Sequence, residues 1–375
     1  MYGVLLISGG RTHQENYAPF FAADRRCRLI GVSDEADVPP ERAQWNERFA
    51  REMGIPLLPD LEAALARPDV HIVSICAEPE RRARIAVRAA QAGKHMYIDK
   101  PLAASAEEAR MIVAAVRKAG VRSQMDTMVR SPWAEQARQA LASGRLGELR
   151  AIHCDLLFAK GKAGTARLGQ PRREHFPPRR FTFVDSKREL YTTGVYSLAL
   201  ISWLTNRRVR TVWAVTANYF FAEHARNDVE DFGLIAMTLD GGLTATLTAG
   251  RIGWMSDAMA GPNRVMLVGS RGALLVDAYR PRLEIYADEP PWTPPPVNPG
   301  YPMGFWKSGQ EEVGTRPKQG WIVPGQPGIP TDVSYFIDCI ELGRESDMPA
   351  ERAAEGIEVL MAAYRSAATG QVVRL

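Results

Sequence analysis

The chain has 375 residues, of which 46% are hydrophobic and 24% charged, and its net charge is +4. That length exceeds what one core usually serves, so two domains are expected in a globular chain. The small net charge argues against a nucleic-acid binder, and there is no apolar run of about 18 residues to make a membrane span. The six histidines are scattered without metal-ligand spacing. Cys27, Cys76, Cys154 and Cys339 lie far apart and read as reduced core thiols, which points to the cytoplasm.

The N-terminal stretch lacks the basic region and cleavage site of a leader and reads as a buried strand over Gly3–Ser8. It runs into Ser8-Gly9-Gly10-Arg11-Thr12-His13, and a helix is expected to follow from about Asn16. A strand at Arg28–Ser33 ends at Asp34-Glu35. Trp45, Phe49 and Met53 then recur at spacings of four, one buried helical stripe. Ile55–Leu58 is a short strand, Asp60 caps a helix to about Ala66, and Val70–Cys76 is strongly β. A helix over Glu80–Ala92 stops at Gly93, and Lys94–Asp99 is the next strand. Ser105 and Glu108 form a capping box for a helix to Ala119, and Val121–Met125 follows. Strands alternating with helices imply βαβ units and a parallel sheet, so residues 1–127 read as a dinucleotide-binding, Rossmann-like domain.

From Arg130 the rhythm changes. A helix opens at Ser131-Pro132-Trp133. Strand candidates then follow at 148–158, 209–220, 231–239, 242–251, 264–268, 273–277 and 283–287. They predict an α+β domain over 128–375 with an open, mostly antiparallel sheet. One helix, Thr193–Leu204, interrupts it. Helices near Asp332–Leu342 and Ala350–Thr369 close the chain and could pack back on the first domain. The uncovered sheet face is a natural surface for a homodimer or homotetramer. Residues 160–188 hold nine lysines and arginines, a possible attractor for an anionic substrate or simply a solvated loop. Residues 289–330 hold eleven prolines, seven glycines and three tryptophans, and read as an arm over a neighbouring subunit or a lid.

Three features carry chemistry. A dinucleotide turn needs glycine at three places, and here Ser8, Gly10 and His13 stand there, so only the middle one is kept. His13 would push the helix away or set an imidazole beside the phosphates. Asp34, about 20 residues past the turn, suits the ribose hydroxyls and would repel a 2′-phosphate, which favours NAD over NADP. Lys100, delivered by a strand end into the crevice of a parallel sheet and fixed by Pro101, can reach a bound substrate.

Ala92-Gly93-Lys94-His95, Asp99-Lys100-Pro101-Leu102-Ala103, 142–148, 268–273 and 363–367 together resemble the glucose–fructose oxidoreductase and inositol dehydrogenase family. The resemblance spans nearly the whole chain. It implies a nucleotide-binding domain followed by an open-sheet domain, binding of NAD or NADP, and a dimer or tetramer. It makes Lys100 the residue that polarises the reacting hydroxyl, with Asp99 in place of the motif's glutamate. Ser8, Gly10, Arg11, Thr12, His13, Asp34, Cys76, Glu78, Arg82, Asp99 and Lys100 become the expected cofactor contacts, and Asp126 and Arg130 join the substrate pocket. Thr192 and Tyr196 stand where the family commonly has an aspartate and a histidine four residues apart, and Arg82 stands at another histidine position.

A tyrosine beside an ammonium can release a proton, because the positive charge lowers the phenol's pKa. Tyr196 with Lys100 is therefore the expected pair for a sugar, cyclitol or polyol hydroxyl, with Tyr191 as the alternative if the helix register differs. An NAD-assisted lyase, hydratase or epimerase is a second reading, and a non-catalytic ligand sensor a third.

Overall fold

The computed structural model describes residues 1–158, 173–178, 180–182, 186–252, 263–277, 282–287, 316–320 and 331–375. Most of the basic segment and of the Pro/Trp-rich segment therefore lies outside the described residues. The first sheet has six parallel strands: β1 (Tyr2–Ile7), β2 (Cys27–Ser33), β3 (Leu57–Leu58), β4 (Ile72–Ile75), β5 (His95–Ile98) and β6 (Ser123–Met125). Their order, β3-β2-β1-β4-β5-β6, puts the reversal of direction between β1 and β4. Helices α1 (Gln14–Ala23), α2 (Pro40–Met53), α3 (Leu61–Ala66), α4 (Pro79–Gln91) and α5 (Ala106–Ala119) connect the strands. Alternation of apolar strands with amphipathic helices has no other compact solution than a sheet with helices against it. The α5 start follows its sequence signal: Ser105 Oγ accepts the Glu108 N–H at 3.1 Å, and Gly120 ends the helix at φ 66°.

After α6 (Pro132–Ala142) come β7 (Leu149–Phe158), α7 (Glu189–Thr205), β8 (Val209–Ala217), α8 (Ala222–Arg226), β9 (Phe232–Leu239), β10 (Thr244–Arg251), β11 (Asn263–Gly269), β12 (Gly272–Asp277), β13 (Arg282–Ala287) and β14 (Arg316–Gly320). Then follow α9 (Asp332–Glu341), α10 (Ala350–Thr369) and β15 (Val373–Arg374). The second sheet runs β14-β13-β12-β11-β7-β10-β9-β8-β15, antiparallel except for β7 against β10. Helices α7 and α10 pack on one face. On β8 and β11 of the other face, Trp213, Val215 and Met266 remain exposed. Helix α9 packs on α1 and β5, and α10 on α5, so the end of the chain does return to the first sheet.

Two local expectations shift. The strand expected to reach Phe220 stops at Ala217, because the Asp231 carboxylate accepts the N–H groups of Tyr219, Phe220 and Phe221, each at 2.9 Å. Helix α7 starts at Glu189, not Thr193. Its Thr-Thr-Gly stretch reads locally as a break, yet the helix runs through it and packs on the sheet. A Cβ on Gly233 of β9 would stand 2.8 Å from Leu190 Cβ, so glycine there lets α7 sit close. The preceding Arg188 is buried between Glu174 (3.2 Å) and Glu230 (3.1 Å), and Tyr364 donates to Glu230 at 2.6 Å. This paired cluster fixes the start of α7.

Candidate active site

The phosphate-binding turn follows β1. Ser8 and Arg11 are left-handed, at φ 58° and 53°, as is Gly10 at 61°. A non-glycine residue there costs about 1–2 kcal/mol, so Ser8 is a dearer change than its small size suggests. Its hydroxyl offsets part of that by donating to Asp34 Oδ2 at 2.7 Å. Gly10 has no substitute, since a Cβ would stand 2.7 Å from the Trp45 carbonyl oxygen. His13 does not displace the helix. Its Nδ1 lies 2.8 Å from Asp99 Oδ1, and α1 starts at the next residue, where buried Gln14 donates to Ser74 Oγ at 3.0 Å. Thr12 Oγ1 accepts the Gln14 N–H at 3.0 Å, and Arg11 stacks 4.9 Å from the Trp45 ring centre.

The turn already holds an anion. The Glu15 carboxylate accepts the Arg11 N–H through Oε1 and the Thr12 N–H through Oε2, the latter at 3.1 Å. Backbone N–H groups at a helix start are what a pyrophosphate needs, and a carboxylate seated on them shows that this donor set suits an anion. The turn therefore fits the phosphates of a dinucleotide once Glu15 swings aside.

Asp34 is buried at the end of β2 inside an ion network. It pairs with Arg81 at 2.7 Å, and Asn46 Nδ2 donates to it at 2.8 Å. Glu78 bonds Arg81 at 2.7 Å and Arg42 at 3.0 Å. Burial pushes its carboxyl up, but the two guanidiniums outweigh that and hold it at about 2. The expectation of NAD over NADP rested on an uncompensated Asp34 charge, and Arg81 removes that premise. Cys76, also at a strand end, is buried, and desolvation keeps its thiol well above the ordinary range.

Asp99 is the hub beside Lys100. Arg82 reaches it at 2.6 Å, Tyr17 donates to it at 2.8 Å, and His13 completes the set. Burial alone would raise Asp99, but Arg82 and His13 hold it well below the carboxylate range. Arg82 also donates to the carbonyls of Ala77 (2.6 Å), Asp99 (2.9 Å) and Pro101, so it pins the backbone on both sides of Lys100. The Lys100–Pro101 bond is cis. Lys100 Nζ donates to the Thr192 carbonyl at 2.8 Å and lies 4.7 Å from the Tyr196 ring centre. Burial lowers this ammonium to about 8 against the attraction of Asp99, with Lys187 and Arg82 adding repulsion.

Thr192 and Tyr196 stand one turn apart on α7, and Thr192 Oγ1 donates back to the Arg188 carbonyl at 2.9 Å. Tyr191 points elsewhere. It is fully buried against Phe181 and Tyr364, its hydroxyl has no partner among the described residues, and burial holds its pKa well above 10. The register that α7 adopts thus leaves Tyr196, not Tyr191, beside Lys100.

Asp126 follows β6 and meets a second acid. Tyr97 Oη lies 3.0 Å from Asp126 Oδ1 and 2.7 Å from Asp332 Oδ2. A phenol has one hydrogen, so the second contact requires a proton on one of the two carboxyls. Desolvation, followed by mutual repulsion, raises Asp126, and desolvation raises Asp332. Arg130 turns to Glu135 (2.5 Å) and Asp347 (3.2 Å) and stacks 4.1 Å from the Tyr335 ring centre, so its charge is committed within the protein.

Sequence reasoning missed Glu15, Asn46, Arg81, Tyr17, Tyr97 and Asp332. Only Glu15, three residues beyond Thr12, carried a local signal, that of a capping acid.

Among the described residues no group of three or more His, Cys, Asp or Glu side chains is placed to hold a metal, and no helix is long and apolar enough to cross a membrane. All four cysteines are free and buried. Residues 2–127 match the family model described as oxidoreductase family, NAD-binding Rossmann fold, and residues 134–275 match the GFO/IDH/MocA C-terminal domain. A 1,5-anhydro-D-fructose reductase of Ensifer adhaerens is 36% identical over 107 residues, covering 28% of this chain and 32% of the relative. An inositol 2-dehydrogenase of Pseudomonas savastanoi pv. phaseolicola is 34% identical over 140 residues, covering 35% and 40%. The chain thus spans well under half the length of these relatives. The crystal structure of an aldose-aldose oxidoreductase from Caulobacter crescentus, complexed with glycerol, superposes with a TM-score of 0.70 at 21% identity over 100% of this chain and 99% of that one. The chain belongs to the GFO/IDH/MocA oxidoreductase family.

Proposed function

We propose that this protein interconverts a secondary hydroxyl and a ketone on a sugar, cyclitol or related polyol, with Lys100 and Tyr196 handling the proton. The observation that carries the reading is Lys100, buried, lowered to about 8 and held between the Thr192 carbonyl and the Tyr196 ring. An ammonium that keeps its charge up to about pH 8 lowers the pKa of the neighbouring phenol and so helps it carry the proton. Relatives named as reductases and dehydrogenases of anhydrosugars and inositol support the substrate class.

A bound nicotinamide dinucleotide would supply the hydride acceptor or donor. Its phosphates would be held by the N–H groups of Arg11 and Thr12 over Gly10, with Ser8 and Asp34 toward the ribose. Lys100 orients the reacting oxygen and stabilises negative charge on it, and Arg82 and Asp99 fix the lysine's backbone. Tyr196 takes or returns the hydroxyl proton. Residues 1–127 serve as the dinucleotide half and residues 128–375 as the substrate and assembly half. The open sheet face bearing Trp213, Val215 and Met266 is the surface for a homodimer or homotetramer.

The test is calorimetric titration of nucleotide-stripped protein, followed by a polyol and keto-sugar screen. Micromolar dinucleotide binding and turnover are expected, with a rate of alcohol oxidation that falls as Lys100 loses its charge above about pH 8. Lys100→Ala should cost at least about a hundredfold in rate with little change in dinucleotide affinity. A Lys100→Ala rate equal to wild type would remove the mechanism. Binding without turnover across the screen would leave a ligand sensor.

A further inference from the structure

The adenosine end of the dinucleotide site has an unusual charge arrangement. A carboxylate offers about four acceptor positions. On Asp34 they are filled: Oδ1 accepts from Arg81 Nη1 (2.7 Å) and the Glu35 N–H (2.9 Å), and Oδ2 from Ser8 Oγ (2.7 Å) and Asn46 Nδ2 (2.8 Å). A free ribose 2′-hydroxyl finds no acceptor there unless one of these bonds breaks.

Asp34 sits in a network of arginines and acids. Arg81 is shared among Asp34, Glu35 (3.0 Å) and Glu78 (2.7 Å). Arg84 reaches Glu35 at 2.7 Å, Arg88 also bonds Glu35, and Arg42 bonds Glu78. Asp34, Glu35 and Glu78 share Arg42, Arg81, Arg84 and Arg88, and exposed Asp37 also acts on Arg84. Arg88 also touches Glu62, but that acid is 66% exposed, and solvent screens it. Arg84 itself is 52% exposed.

A phosphate monoester carries roughly −1.5 to −2 charge at neutral pH and offers acceptor oxygens only. It competes with Asp34 and Glu35 for the guanidiniums, where a hydroxyl would have to compete with a guanidinium for Asp34. In this fold an acid after the second strand serves a ribose hydroxyl, and an arginine nearby serves a 2′-phosphate. Here the arginine already covers the acid.

We propose that Arg81, assisted by Arg84, sets cofactor specificity and selects a dinucleotide bearing a 2′-phosphate over one with a free 2′-hydroxyl. This rests on the dinucleotide reading above. On binding, the phosphate takes over Arg81 and Arg84, while Asp34 keeps Ser8 and Asn46.

The experiment is calorimetry on the nucleotide-stripped full chain with NADP, NAD, adenosine 2′,5′-bisphosphate and 5′-AMP. NADP should bind at least about tenfold tighter than NAD, and the bisphosphate tighter than 5′-AMP by a similar factor. Arg81→Gln should bring the two dinucleotides to within about threefold by weakening NADP alone. NAD binding as tightly as NADP to the wild type would overturn the inference and leave the dinucleotide reading standing. Equal weakening of both by Arg81→Gln would overturn the role of Arg81. If that variant does not fold, Arg84→Gln and the two fragments on wild-type protein carry the same test. Failure of all four nucleotides to bind would overturn the dinucleotide reading as well.

Discussion

The Lys100 ammonium lies over the face of the Tyr196 ring, 4.7 Å from its centre. Sequence reasoning paired these two through the charge of one acting on the acidity of the other. The structure adds a second contact of a different kind, a cation against a π face, which favours the charged lysine. The aromatic ring and its hydroxyl therefore have separable duties.

Substitution divides them. Tyr196→Phe keeps the ring under Lys100 and removes the hydroxyl proposed to carry the proton, so kcat should fall by about a hundredfold while dinucleotide affinity stays level. Tyr196→Ala also removes the ring, and the pH limb assigned to Lys100 should move below its wild-type position near 8. Steady-state rates between pH 6 and 10 check both. A Tyr196→Phe enzyme with wild-type kcat would assign the proton elsewhere.

The shared proton at Tyr97 makes stability depend on pH. Asp126 and Asp332 are raised above their ordinary values, so the folded protein binds more protons than the unfolded chain. Their contribution is full below the ordinary carboxyl range, near pH 4, and is lost as pH rises to about 7. Asp332→Asn removes the second negative charge and supplies an amide that can donate to the phenol. Its Tm should exceed that of the wild type by a few degrees at pH 8 and match it at pH 5. Thermal unfolding at the two pH values decides this, and a variant less stable at both would refute it.

Arg82 is expected to matter for stability as much as for activity. It neutralises buried Asp99 and ties three carbonyls around Lys100. Arg82→Met leaves a buried charge short of its main partner and should cost about 3–5 kcal/mol of unfolding free energy. Adding Asp99→Asn should recover part of the loss, since the stranded charge is then gone. Urea unfolding of the single and double variants measures the coupling.

Glu15 competes for the N–H groups that would hold a pyrophosphate. Glu15→Gln weakens that competitor and should tighten NAD and NADP alike by about threefold to tenfold, leaving their ratio unchanged. Calorimetry reads the change directly. Weaker binding in the variant would mean that Glu15 supports the turn.

The alternation of strands and helices, the switch to an antiparallel sheet after Arg130, and the position of Lys100 at a strand end were all legible in the chain. These depend on periodicity and turn chemistry within a few residues, which sequence displays directly. The start of α7 was not, because Thr192, Thr193 and Gly194 resemble a break until the sheet and the buried Arg188–Glu230 pair hold the first turn. Charge partners were the least legible. Asp34 was recognisable as an acid at the end of β2, but Arg81, which covers it, lies 47 residues away, and Asp332 reaches Tyr97 across 235. A long guanidinium side chain can serve any acid the fold brings within reach. Sequence alone thus determined the scaffold and the place of a lysine at the end of β5, while tertiary structure decided which charges are free to meet a ligand and which are already spent on one another.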